Sequence, residues 1–150
     1  MKDKLKKILL TALCLMTLPL FCFCNTTETT AMNTENTVKI TVINDVAEAD
    51  IWILADTEAN RKTTLWGTAT VKKMAEGESR ETMICEPGDN GQYLFRMIDA
   101  DKFYYSADAL SLEEGWTLRV SGEDIGSITL EVTDENGVLQ NTYEVFCARL

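Results

Sequence analysis

Beyond residue 37 the chain is written in short alternations of apolar and polar residues. Val38, Ile40 and Val42 alternate with Lys39 and Thr41; Trp116, Leu118 and Val120 with Thr117 and Arg119; Ile128, Leu130 and Val132 with Thr129 and Glu131. A period of two sends successive side chains to opposite faces, so each run predicts a half-buried β-strand. Residues 50–55 depart from it, because Ile51-Trp52-Ile53-Leu54 is continuously apolar and predicts a strand covered on both faces. Residues 92–98 carry Tyr93, Phe95 and Met97 on one side, and 68–74, 80–85, 103–107 and 140–148 are further strand candidates. A helical turn suits only 107–114, which is too short to organise a layer.

Turn chemistry separates these runs. Glu86-Pro87-Gly88-Asp89-Asn90-Gly91 offers a fixed proline φ followed by residues that tolerate positive φ, and Asp134-Glu135-Asn136-Gly137 ends in the Asn-Gly pair favoured in hairpins. Ala75-Glu76-Gly77-Glu78 and the segment 122–126 are similar. The expected fold is therefore all-β: an antiparallel immunoglobulin-like β-sandwich of about eight short strands over residues 38–150, with turns at sandwich spacing.

The N-terminus has a different pattern. Lys2, Lys4, Lys6 and Lys7 precede a charge-free apolar run at 8–24, and a Thr/Asn/Glu-rich stretch follows. This order predicts a signal peptide at 1–24, a polar flexible spacer at 25–37 and an extracytoplasmic location, secreted or periplasmic. The run is at the short limit for spanning a hydrocarbon core of about 30 Å, which favours a removable signal over an anchor. Cutting after Cys24 or after Ala31 suits a signal peptidase. Alternatively Cys22 or Cys24 is the lipidated residue of a bacterial lipoprotein at the cell surface, although each follows Phe where that pattern takes a small residue.

Four of the 14 Lys and Arg and one of the 24 Asp and Glu precede Asn25, so the remainder holds 10 against 23, a net charge of −13. Such a surface repels phosphate backbones and argues against nucleic acid as a partner. Only Cys85 and Cys147 remain after the signal; they either pair in an oxidising compartment or stay as free buried thiols.

Ile43-Asn44-Asp45, Ile51-Trp52-Ile53, Trp66-Gly67, Ala75-Glu76-Gly77-Glu78-Ser79, and Tyr93-Leu94-Phe95-Arg96 with Asp99 after it follow one another in an order that resembles small exported bacterial β-sandwich domains of unknown function. The resemblance covers roughly residues 38–120 and rests on short fold-determining motifs. Proline is usual before the Gly of the turn, where this chain has Glu76, and Asp is usual where it has Leu94. The resemblance implies a sandwich fold and export, and no chemistry.

The chain has no His, which removes imidazole-dependent nucleophile systems and His-based zinc sites. Asp99 and Asp101 read first as a solvated hairpin turn, then as calcium ligands or a carboxylate pair. Arg96 reads as a partly exposed strand residue or, facing inward, as a partner for Asp108. Lys72 and Lys73 read as charges that protect an edge strand. Trp52 and Trp116, within apolar strands, read as core. Trp66 is preceded by polar loop residues and followed by Gly67, which makes it the ligand-binding candidate, with a plug over the sandwich end as the competing role. The expected function is a non-enzymatic exported module that contacts a protein or glycan of the cell envelope, reaching the membrane only through its signal or a lipid anchor. The alternative is a small carboxylate- or metal-dependent hydrolase. No cofactor is implied.

Overall fold

The structure, a computed structural model, describes residues 37–124 and 126–150. The expected signal segment 1–24, residues 25–36 of the expected spacer and the lipidation candidates Cys22 and Cys24 lie outside the described residues. In chain order come β1 (Thr37–Asn44), β2 (Ala49–Ala55), α1 (Glu58–Lys62), β3 (Val71–Met74), β4 (Glu78–Cys85), β5 (Tyr93–Asp99), β6 (Phe103–Leu110), β7 (Thr117–Asp124), β8 (Ser127–Thr133), β9 (Leu139–Glu144) and β10 (Phe146–Arg149). They form two five-stranded sheets, β4-β1-β7-β8-β9 and β10-β6-β5-β2-β3, antiparallel except where β1 runs parallel to β7. Inner faces meet in one core that includes Ile40, Val42, Ile51, Ile53, Phe95, Tyr105, Leu118 and Leu130. The all-β expectation is met by this two-sheet arrangement.

Ten strands replace the expected eight, for local reasons. Residue Thr37, assigned to the spacer, already pairs with Cys85 and opens β1. Residues 140–148, expected as one strand, are two: Tyr143 pairs with Leu130 in the first sheet and Cys147 with Tyr105 in the second, so the chain changes sheets at Val145. The helical turn expected within 107–114 is absent. Instead β6 continues to Leu110 through an irregularity where Ala109 takes a φ of 61°.

Two turns show how the fold uses its glycines. Asp134–Gly137 closes the β8/β9 hairpin: Asp134 Oδ1 accepts from the Asn136 and Val138 amides at 2.8 and 3.0 Å, and Gly137 supplies the positive φ of 76°. Glu86–Gly91 connects β4 of one sheet to β5 of the other. There a Cβ on Gly88 would stand 2.2 Å from the Asp56 carbonyl oxygen, so only glycine lets the two backbones meet.

Candidate functional site

Strand pairing fixes the outer face of the second sheet. Trp52 on β2 lies opposite Arg96 on β5, which lies opposite Ser106 on β6; Asp50, Ile98 and Tyr104 form the neighbouring row, and Leu54 and Leu94 the next. These residues point away from the core, yet Leu94 is 0% and Arg96 only 6% exposed. Burial comes from the 56–70 connection between β2 and β3, which folds back over the face.

Local bonds hold that connection in place. Thr57 caps α1, its hydroxyl accepting from the Asn60 amide at 3.1 Å, while the Asn60 side chain donates to Ala55 O at 2.8 Å. Asp56 is the anchor. Its amide donates to Gln92 O at 2.9 Å, and its buried carboxylate accepts Arg61 Nε at 2.5 Å, Arg61 Nη2 at 2.7 Å and Asn90 Nδ2 at 3.3 Å. The Arg61 guanidinium, opposed by burial and helped by Asn90, holds the Asp56 carboxyl below its usual range, and Asp56 in turn raises Arg61. Farther along, Thr63 Oγ1 accepts from the Leu65 amide at 3.0 Å, a local turn that directs Trp66 back toward the sheet.

Trp66 lands between two strands. Its ring stacks on Tyr104 of β6 with centroids 5.5 Å apart and planes 13° apart, and meets Trp52 of β2 edge-on, also at 5.5 Å. Both indole donors are satisfied by the loop: Trp66 Nε1 donates to Thr63 O at 3.0 Å and Trp52 Nε1 to Gly67 O at 3.2 Å. Trp66 is therefore half-buried, part cover and part surface. Beside it opens a cleft of about 410 Å³, whose lining includes Trp66, Tyr104, Arg96, Arg61, Lys62 and Thr64. Leu65, 87% exposed, stands next to Trp66 in the same loop, and Leu150 borders the cleft at 71% exposed.

Arg96 forms the floor: the expected partner Asp108 is met, whereas the inward orientation tied to that pairing and the exposed alternative are both corrected. It faces outward on its sheet and is nonetheless buried, because the loop covers it. Its Nη1 is shared among Phe95 O at 2.7 Å, Ala107 O at 3.1 Å and Asp108 Oδ1 at 2.7 Å. The irregularity in β6 brings Asp108 to that bond. With Arg61–Asp56 and Lys62–Glu58, each cation lining the cleft has a carboxylate partner.

The remaining candidates lie elsewhere. Trp52, expected in the core, faces outward because it falls between the inward Ile51 and Ile53; Trp116 packs partly buried against the core. Cys85 and Cys147 are free thiols and do not pair: β4 lies over β2, β9 over β6, and β10 is beyond β6, so the two residues occupy opposite edges of the sandwich. Asp101 is exposed in the β5/β6 turn, but Asp99 is 3% exposed, accepting from the Phe103 amide and the Tyr105 hydroxyl, each at 2.9 Å. Burial, helped by that charge, pushes the Tyr105 phenol far above its usual range. Asp99 is thus a structural acceptor rather than a solvated turn residue. Among the described residues no three acidic or cysteine side chains converge as metal ligands. Lys72 and Lys73 are exposed on β3, which is an edge strand.

Tyr104 and Arg61 line the cleft and were not singled out from sequence. Phe103-Tyr104-Tyr105 carried a signal for Tyr104, since large apolar residues at both parities mark a strand with two covered faces, as at 51–54. Nothing local marked Arg61, whose role depends on where the loop folds. No protein-family model, curated protein or solved structure matches the chain.

Proposed function

We propose that this chain is a non-enzymatic recognition module, an immunoglobulin-like β-sandwich exported to the bacterial cell envelope, where it holds a glycan or protein partner in the cleft beside Trp66. The observation that carries the reading is that cleft: an aromatic wall of Trp66 and Tyr104, a buried guanidinium at its floor and a rim of hydroxyls, on a sheet face otherwise sealed by a dedicated loop. Export is supported by the lysine cluster and apolar run of the first 24 residues.

Trp66→Ala tests it. Binding to whatever envelope glycan or protein a screen identifies is expected to vanish. Unfolding free energy is expected to fall by about 1 to 3 kcal/mol, the worth of two aromatic pairs, rather than by the amount typical of a core aromatic. Full retention of binding would end the assignment of recognition to this cleft.

A further inference from the structure

Arginine takes a carboxylate best along the edge that carries Nε–H and one Nη2–H, where two parallel bonds form at once. Two arginines of this chain use that edge on their own carboxylates. Arg61 gives Nε to Asp56 Oδ1 and Nη2 to Asp56 Oδ2; Arg80 gives both nitrogens to Glu78 Oε1. Arg96 is held by its other end. Nη1 carries all three of its bonds, and among the described residues no acceptor meets Nε or Nη2. Among the described residues the buried side-chain polar atom without a partner is Thr37 Oγ1, so neither Nε nor Nη2 of Arg96 is sealed in there. The residue is 94% buried by its 6% exposure and lines the cleft, so the open edge is reached through it.

Resting on the recognition reading above, we propose that the cleft binds the carboxylate of an acidic sugar, a hexuronate residue of a glycan, on the Nε–Nη2 edge of Arg96. Nη1 already fixes the guanidinium plane, so little side-chain freedom is lost when the carboxylate docks. Trp66 and Tyr104 supply the apolar wall for the sugar ring, and Thr64 borders the cleft with a hydroxyl of its own. Electrostatics permit the anion here. In a chain of net charge −10, the three cations lining the cleft and their three carboxylate partners cancel, which leaves a neutral patch on an acidic surface.

Titration of the ¹⁵N-labelled full chain with glucuronate, glucose and acetate tests the proposal through the Arg96 Nε–Hε resonance, identified by its loss in Arg96→Lys. Glucuronate is expected to shift that resonance and to bind at least about tenfold more tightly than glucose or acetate. Trp66→Phe is expected to weaken glucuronate binding while leaving the Arg96 signal in place. Should Arg96→Lys fail to fold, assigning the resonance through the Arg96 backbone in the unaltered chain carries the same test. Glucose binding as tightly as glucuronate overturns the carboxylate site while leaving the recognition reading standing. Acetate matching glucuronate overturns the sugar, and an unmoved Arg96 resonance at tens of millimolar glucuronate overturns the proposal outright.

Discussion

The two outer faces of the sandwich are built from the same strand geometry and meet opposite fates. On the first sheet the outward positions are mostly polar and in contact with water, Lys39, Thr41, Thr117, Arg119, Thr129 and Glu131 among them, with the half-buried Ile43 and the exposed Met83 in the same rows. On the second they are Trp52, Leu94, Arg96, Ile98 and Tyr104, from half-buried to fully buried. The difference is one 15-residue connection. The segment between β2 and β3 does not turn tightly, as the β8/β9 hairpin does, but crosses the face and leaves a cleft where its cover stops. A cleft thus arises where a sheet is covered incompletely by its own chain, and the plain face shows what the same scaffold looks like without a cover.

The largest effect that can break this comparison comes from Leu94, which a simple inside-outside alternation would place at the surface. Leu94→Ala is expected to cost about 2 to 5 kcal/mol, as for a truncated core leucine, while Thr129→Ala, outward on the first sheet, should stay within about 0.5 kcal/mol. Urea unfolding of the two variants measures both. Equal, small losses would mean that the 56–70 segment does not pack on the sheet.

Asp56 offers a second, smaller lever, because it ties the cover to the sandwich. Its folded pKa is depressed below the ordinary value, chiefly by the bonds from Arg61. A depressed carboxylate adds stability that is fully present above the unfolded pKa of about 3.9 and is lost as pH falls through the folded value. Acidification below about pH 4 is therefore expected to release the cover before the sandwich, seen as faster amide exchange at 56–70 with the first sheet still protected. Asp56→Asn should give the same loosened cover at neutral pH and abolish its acid dependence. Uniform exchange across both sheets would show that the cover and the sandwich open as one unit.

Most of the first sheet could be read directly from sequence, because each of its central strands keeps the period of two that one wet face imposes: Ile40 and Val42 in, Lys39 and Thr41 out. The second sheet was harder for the same physical reason that makes it interesting. Ile51-Trp52-Ile53-Leu54 announced two covered faces, but nothing in those four residues says what covers the second. Arg96 shows the limit most clearly, since its burial depends on a loop 26 to 40 residues earlier in the chain and its partner on an irregularity in β6. Trp66 was legible as a loop aromatic; its stacking on Tyr104 was not, because that contact joins residues far apart in sequence through tertiary folding alone. The split of 140–148 was hidden for another reason. Tyr143, Val145 and Cys147 keep one parity across the change of sheet, so the period never breaks.

The smallest expected effect sharpens the comparison from its polar side. Arg119, outward on β7, donates from Nη1 to Asp45 Oδ2 at 2.6 Å, a bond as short as those around the cleft. Length alone would rank it with the Arg96–Asp108 pair at 2.7 Å. Exposure of the guanidinium separates them: the Arg119 and Asp45 side chains are 46% and 34% exposed, whereas Arg96 is 8% and only its partner Asp108, at 50%, meets water. Water and salt screen the first pair, so Arg119→Ala is expected to change stability by no more than about 1 kcal/mol, and by less as ionic strength rises. Arg96→Ala would instead leave the carbonyls of Phe95 and Ala107 without this donor beside a cavity, a loss that added salt does not remove, while the half-exposed Asp108 returns to water. Thermal unfolding of both variants at low and high salt reads the difference. A salt-sensitive Arg96 variant would show that the cleft floor is as wet as the open face, and the distinction between the two sides of the sandwich would fail.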